Sequence, residues 1–151
     1  MFQTIVFAYD GSTECHNALE EGIALATRFC ANCHLLAVVP LPPALAMAAG
    51  PLPDGFLESE QASINAVLEK GVSRLREAGL NATGLVRMWA DPTEAIVTFA
   101  CETGADLVIV GHQRRTAFDR WWRGSVGHSL LDDLPCSLFV SMPRGVAKRG
   151  K

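Results

Sequence analysis

Gly111, Gly124 and Ser125 are the residues whose types and spacing most suggest chemistry. Gly111 closes an apolar, β-branched run at residues 107–110, and Gly124-Ser125, thirteen positions later, opens a second apolar segment. Between them, residues 114–123 carry four arginines against a single acid, Asp119. Strand, glycine, basic loop and Gly-Ser helix start together form a layout that holds an anion. Backbone N–H groups at a helix N-terminus lack partners, and the helix dipole favours negative charge there. The anion expected is a phosphate. No Gly-Lys-Ser/Thr occurs, so the loop is not of the Walker A type. The plainer reading is an ordinary connection in which Ser125 only caps the next helix.

Other candidate chemistries are weaker. Cys30-Ala31-Asn32-Cys33-His34 has the spacing of covalent haem attachment, but it falls at the end of a predicted helix and the entry to a predicted strand. There the helix dipole opposes thiolate formation, and no further ligands are nominated for zinc. Packing thiols are the reading preferred, and no haem is expected. His16, His34, His112 and His128 form no triad by spacing, and Gly-x-Ser-x-Gly is absent, so no nucleophile or general base is assigned. Arg120-Trp121-Trp122-Arg123 interleaves aromatic and basic residues; packing or a partner contact is preferred over nucleic-acid stacking.

The elements that must position the phosphate loop follow from periodicity. Residues 5–9, 35–39, 85–89, 107–110 and 136–142 are short apolar runs, read as strands. Leu19, Ile23, Ala26 and Phe29 form one helical stripe, with Ser12 as N-cap. Ile64, Leu68, Val72 and Leu75 form a second, ending near Gly79. Ile96, Phe99, Ala100 and Thr103 form a third. That third helix starts at Asp91-Pro92-Thr93-Glu94, with Asp91 as cap, Pro92 in the first turn and Glu94 placed to bond back. Residues 125–134 are the last predicted helix, stopped by Pro135. Residues 40–56 hold five prolines and two glycines, and read as a long loop.

Alternating strands and helices imply a single α/β domain: a doubly wound, five-stranded parallel sheet with helices on both faces. Ligands of such sheets bind at the carboxyl ends of the strands. Asp10, the segment Val38-Val39-Pro40, and Gly111 onward would meet there. The domain is expected to span residues 1–143, with 144–151 a basic tail.

Composition narrows the function classes. The 151 residues carry a net charge of −3, with 49% apolar and 19% charged residues, which suits a globular fold. Residues 1–110 hold 5 basic and 13 acidic side chains, whereas residues 144–151 hold four basic ones and no acid. An acidic body argues against a nucleic-acid footprint. No run approaches membrane-spanning length and the start lacks secretory features. Five cysteines suit reduced thiols. The expectation is a cytoplasmic protein.

Taken together, these residues resemble the universal stress proteins, small α/β nucleotide-binding proteins, over nearly the whole chain. That family's nucleotide-binding motif is Gly, two residues, Gly, nine residues, then Gly and Ser or Thr. Here Gly111-His112-Gln113-Arg114, nine residues and Gly124-Ser125 keep the register, with Arg114 at the second glycine. Residues 5–12, 35–39, 90–92 and 134–140 resemble further family segments. The resemblance implies strand order 3-2-1-4-5, with Ala8 and Val38 lining adenine and Asp10 bonding ribose or a phosphate-bound metal such as Mg. Gly111, Gly124, Ser125 and Val126 would cradle phosphates. His112, Arg114 and Arg115 are candidate phosphate partners, since guanidinium forks suit phosphate. The edge strand that begins at Cys136 and ends at Met142 would pair a homodimer. The expected function is a stress-response protein that binds ATP or AMP and acts through conformation or a protein partner, with at most slow ATP hydrolysis. The alternative is a ligand-free interaction protein whose site Arg114 closes.

Overall fold

The computed structural model describes residues 1–40, 55–112, 130–142 and residue 144. In chain order the elements are β1 (Thr4–Ala8), α1 (Thr13–Phe29), β2 (Asn32–Pro40), α2 (Phe56–Glu77), β3 (Asn81–Trp89), α3 (Pro92–Thr103), β4 (Leu107–Gly111), α4 (Leu130–Asp133) and β5 (Ser137–Ser141). The strands form one five-stranded sheet in the order β3-β2-β1-β4-β5, and every pairing is parallel. This is the expected architecture.

Alternation along the strands builds two apolar layers, because successive side chains face opposite sides of a sheet. Ile5 and Phe7 of β1, Leu35 of β2 and Ile109 of β4 pack with Leu19 of α1 and Val72 and Leu75 of α2. Val6, Leu36, Val108 and Val110 face the other way, against Ile96, Phe99 and Ala100 of α3 and Leu130 of α4. β4 is buried throughout, as an interior strand covered on both faces requires. Each fully buried aliphatic or aromatic side chain contributes roughly 1.5–3 kcal/mol.

The helix signals act as the sequence suggests, with three corrections. Ser12 caps α1 by accepting the Cys15 amide at 3.2 Å, and Asp91 caps α3 by accepting the Thr93 amide at 2.8 Å, with Pro92 in the first turn. Glu94 does not bond back to the cap; it accepts the Trp89 indole N–H at 3.2 Å, tying α3 to the end of β3. Phe29, expected in the buried stripe of α1, is 37% exposed. The stripe runs out one turn earlier, at Ala26, and Phe29 rests edge-on against Phe2 with centroids 5.4 Å apart. Thr103 also lies only partly buried, its hydroxyl donating to the Phe99 carbonyl at 2.8 Å.

β2 and β3 start earlier than expected, at Asn32 and Asn81, and pair over nine residues. Polar side chains make this possible. Asn81 Nδ2 donates to Asn32 Oδ1 at 2.9 Å, and His34 Nδ1 lies 2.8 Å from Thr83 Oγ1. β3 is an edge strand. Arg87 fastens α3 over it: its guanidinium binds the Glu102 carboxylate through both terminal nitrogens and lies 5.2 Å from the Phe99 ring centre and 6.0 Å from that of Trp89.

Candidate functional site

The candidate site grows from the carboxyl ends of β1, β2 and β4. Ala8 pairs with Leu36, and Phe7 with Ile109. Continuing the first register by two residues, and the second by three, sets Val38 and His112 level with Asp10. Tyr9 extends the ladder by donating its amide to the Leu36 carbonyl at 2.9 Å. Three of the expected segments thus converge on one edge.

Ala8 and Val38 face the α3 side of the sheet and are partly exposed against that core layer. They offer a small apolar shelf at the strand ends, of the kind a planar base requires. Val38, Val39 and Pro40 lie inside β2 rather than after it, so this strand stands above β1 and walls the shelf on one side.

Asp10 sits in the turn between β1 and α1. Its Oδ1 accepts the Ser12 amide at 2.8 Å, an Asx turn. Gly11, between them, has φ of +79°, a conformation that glycine adopts without strain. A Cβ at Gly11 would lie 2.4 Å from Val67 Cγ1 of α2, so the turn is also packed from outside. The carboxylate is exposed at the sheet edge.

Gly111 has a different role from the one expected of it. It does not end the strand by a turn: it is the last residue of β4, pairs with Ser141 of β5, and has no positive φ. Its lack of a side chain serves close approach. A Cβ there would lie 2.6 Å from the Glu14 carbonyl oxygen and 2.9 Å from the Cys15 nitrogen, so the first turn of α1 rests directly on the end of β4. His112 follows, held to β5 by its amide, which donates to the Ser141 carbonyl at 2.9 Å. Arg114, Arg115, Gly124, Ser125 and Val126 lie outside the described residues, as do the pair Trp121-Trp122 and the loop residues 41–54. Of the last helix expected, residues 130–133 are described as helical.

The cysteine pattern at 30–34 does not converge on a site. Cys30 caps α1 in the left-handed region, φ 51°, and is exposed. Cys33 is buried in β2 facing α1 and α2, and burial pushes its thiol up to about 11. His34 faces the opposite side, edge-on to Phe99, and burial lowers its pKa.

Cys15 is the residue that the sequence reading overlooked. It lies in the first turn of α1 and is 3% exposed. Burial, and then the charge of Asp10, push its thiol up to about 11, so it carries its proton at neutral pH. The signal was available: Cys15 stands four residues before Leu19, on the same buried stripe. Beside it, Thr13, Glu14, Asn17, Glu20, Glu21, Met142 and Arg144 line a cleft of about 430 Å³, across which Arg144 reaches Glu21 at 3.5 Å.

The family model of the universal stress protein family matches residues 1–141. The chain belongs to the universal stress protein family. No curated protein sequence matches it. Solved structures share the fold. A universal stress protein family member from Burkholderia pseudomallei superposes with a TM-score of 0.72 at 21% identity, covering 92% of this chain and 95% of that one. The universal stress protein from Archaeoglobus fulgidus in complex with dAMP gives 0.63 at 18% identity, covering 92% and 97%. A universal stress protein family protein from Arabidopsis thaliana with AMP bound gives 0.64 at 17% identity, covering 93% and 91%. Among the described residues of this family member, no helix is long and apolar enough to cross a membrane, and no group of three or more His, Cys, Asp or Glu is arranged to hold a metal.

Proposed function

We propose that this universal stress protein binds an adenine nucleotide, ATP or AMP, at the carboxyl edge of its sheet and signals through conformation or a protein partner. The observation that carries the reading is the meeting of the Ala8–Val38 shelf with Asp10 and with Gly111-His112 on one edge. The shelf takes the base and Asp10 takes the ribose, or a magnesium ion on the phosphates. Arg114, Arg115, Gly124, Ser125 and Val126 are assigned the phosphates from their place in the motif. AMP and dAMP bound to the neighbours named above support the ligand class. Pairing through β5, an edge strand of the sheet, would make the protein a homodimer, and the working compartment is the cytoplasm.

Arg114 stands at the second motif glycine, which favours one competing reading: a ligand-free interaction protein. Calorimetric titration of the purified protein with ATP and with AMP, repeated on Arg114→Gly, separates the two. Micromolar binding by the wild-type chain is expected. No heat from the wild type together with tight binding by Arg114→Gly would replace the nucleotide reading with the closed-site one.

A further inference from the structure

β3 ends on an aromatic side chain, Trp89, that neither apolar layer uses. Successive residues of a strand face opposite sides, so Arg87 and Trp89 share a face. Arg87 fixes which one: its guanidinium lies 5.2 Å from the Phe99 ring centre of α3. Ala8 and Val38, the shelf assigned to the base, face the same layer. In the β2–β3 register Val38 stands level with Arg87, and Pro40 with Trp89. Trp89 is thus one strand outward from Val38 and two residues nearer the carboxyl edge. Strands ~4.8 Å apart that rise ~3.3 Å per residue put the two roughly 8 Å apart, a gap that an indole largely spans.

The indole is anchored before any ligand arrives. Its Nε1 donates to Glu94 Oε2, in the first turn of α3, at 3.2 Å, and the Arg87 guanidinium lies 6.0 Å from the ring centre. Arg87 is itself held by Glu102 through both terminal nitrogens. Among the described residues the ring joins neither core layer, and it is only partly buried. A ring tied at its polar end and left out of the core has apolar surface to offer. It stands at the edge where a doubly wound sheet takes its ligand. The shelf itself is two small aliphatic side chains, which give a base a floor but no aromatic face.

We propose that Trp89 is the base-stacking residue of the nucleotide site: its indole closes the β3 side of the Ala8–Val38 shelf and packs on the adenine ring. The proposal rests on the nucleotide reading above and deepens it by naming the side chain that grips the base. Glu94 and Arg87 act through Trp89, holding the indole in place, so little ordering is left for binding.

Fluorescence tests it on the native ring. Trp89, Trp121 and Trp122 are the three tryptophans of the chain, so in the Trp121→Phe, Trp122→Phe double variant the indole emission belongs to Trp89 alone. AMP should quench that emission with the dissociation constant that calorimetry gives for the same protein. In calorimetry Trp89→Ala should weaken AMP and ATP alike about tenfold or more, the scale of one base–aromatic stack. Trp89→Phe, which keeps an aromatic face, should retain most of the affinity. AMP that binds by calorimetry yet leaves the Trp89 emission unchanged overturns the proposal while the nucleotide reading stands. A loss in Trp89→Ala confined to ATP would set the indole at the phosphates and also overturns it. If the wild type and Arg114→Gly alike give no heat with AMP or ATP, the nucleotide reading falls and takes the proposal with it.

Discussion

Asp10 and Asp106 stand at opposite ends of the same sheet and bind in opposite ways. At the amino end, Asp106 Oδ2 accepts the amides of Gln3 at 2.8 Å and Thr4 at 3.0 Å, groups more than a hundred positions away in the chain. Its own amide donates to the Thr4 carbonyl, and its carbonyl accepts from Ser137, so one residue knits β1, β4 and β5. At the carboxyl end, Asp10 accepts the Ser12 amide two residues ahead of it. A carboxylate engaged by distant strands belongs to the fold. The one in its own turn, exposed at the edge where doubly wound sheets take their ligands, is the one proposed to meet the nucleotide.

The largest effect is expected where the carboxyl edge is joined to the fold. Gly111→Ala sets a Cβ against the backbone of Glu14 and Cys15. Main chain cannot yield as a side-chain end can. Overpacking of this kind costs about 2–3 kcal/mol, a fall in thermal midpoint of about 5–10 °C for a chain of this size. A midpoint within a degree of wild type would mean that α1 does not rest on β4. Next come the two aspartates themselves. Asp10→Asn should weaken ATP affinity about tenfold or more, the scale of a charge-assisted bond, with little change in melting. Asp106→Asn should do the reverse, lowering the melting temperature and leaving affinity intact. A shared phenotype would abolish the distinction between the two ends.

The smallest effect is in acid. The Gln3 and Thr4 amides hold the Asp106 carboxyl below its usual range, hence below its unfolded value of about 3.9. Its contribution is therefore complete above that value and is lost as pH falls through the lower folded value. Denaturant midpoints of wild type and Asp106→Asn should differ most near neutrality and converge below about pH 4. A constant difference across that range would assign the effect to packing.

How far the fold could be read in the residues differs by region. Where one face of an element is apolar and the other polar, the pattern suffices: the stripes of α1 and α3 and the buried β4 follow from spacing. The starts of β2 and β3 were hidden because Asn32 and Asn81 are poor strand formers by type and His34 and Thr83 are polar, which breaks the apolar run. They enter the ladder through bonds to one another across the strands, and such pairs are invisible until the partner strand is known. Glu94 was assigned to a local cap because spacing registers only local partners, and Trp89 lies across a turn from it. In the candidate site, Asp10, Val38 and Gly111 were expected where apolar runs end, and Ala8 was implied by the family resemblance; Val38 and Gly111 prove to lie inside their strands. Cys15 was not expected, because a helical stripe marks a residue as buried without naming the charge that acts on it. Gly111 was found for the wrong reason: a glycine spared a collision has the same letter as a glycine in a turn.

The contact between Gly111 and the Glu14–Cys15 backbone has a mechanical consequence. The turn carrying Asp10 and the strand end carrying His112 touch main chain to main chain, so there is no slack between them. A nucleotide bound as proposed would meet two walls already in place, and the entropy of bringing them together would be lost at folding and not at binding. By the same coupling, a force that lifts the end of β4 is delivered to the first turn of α1, and this helix lies across the sheet face away from α3.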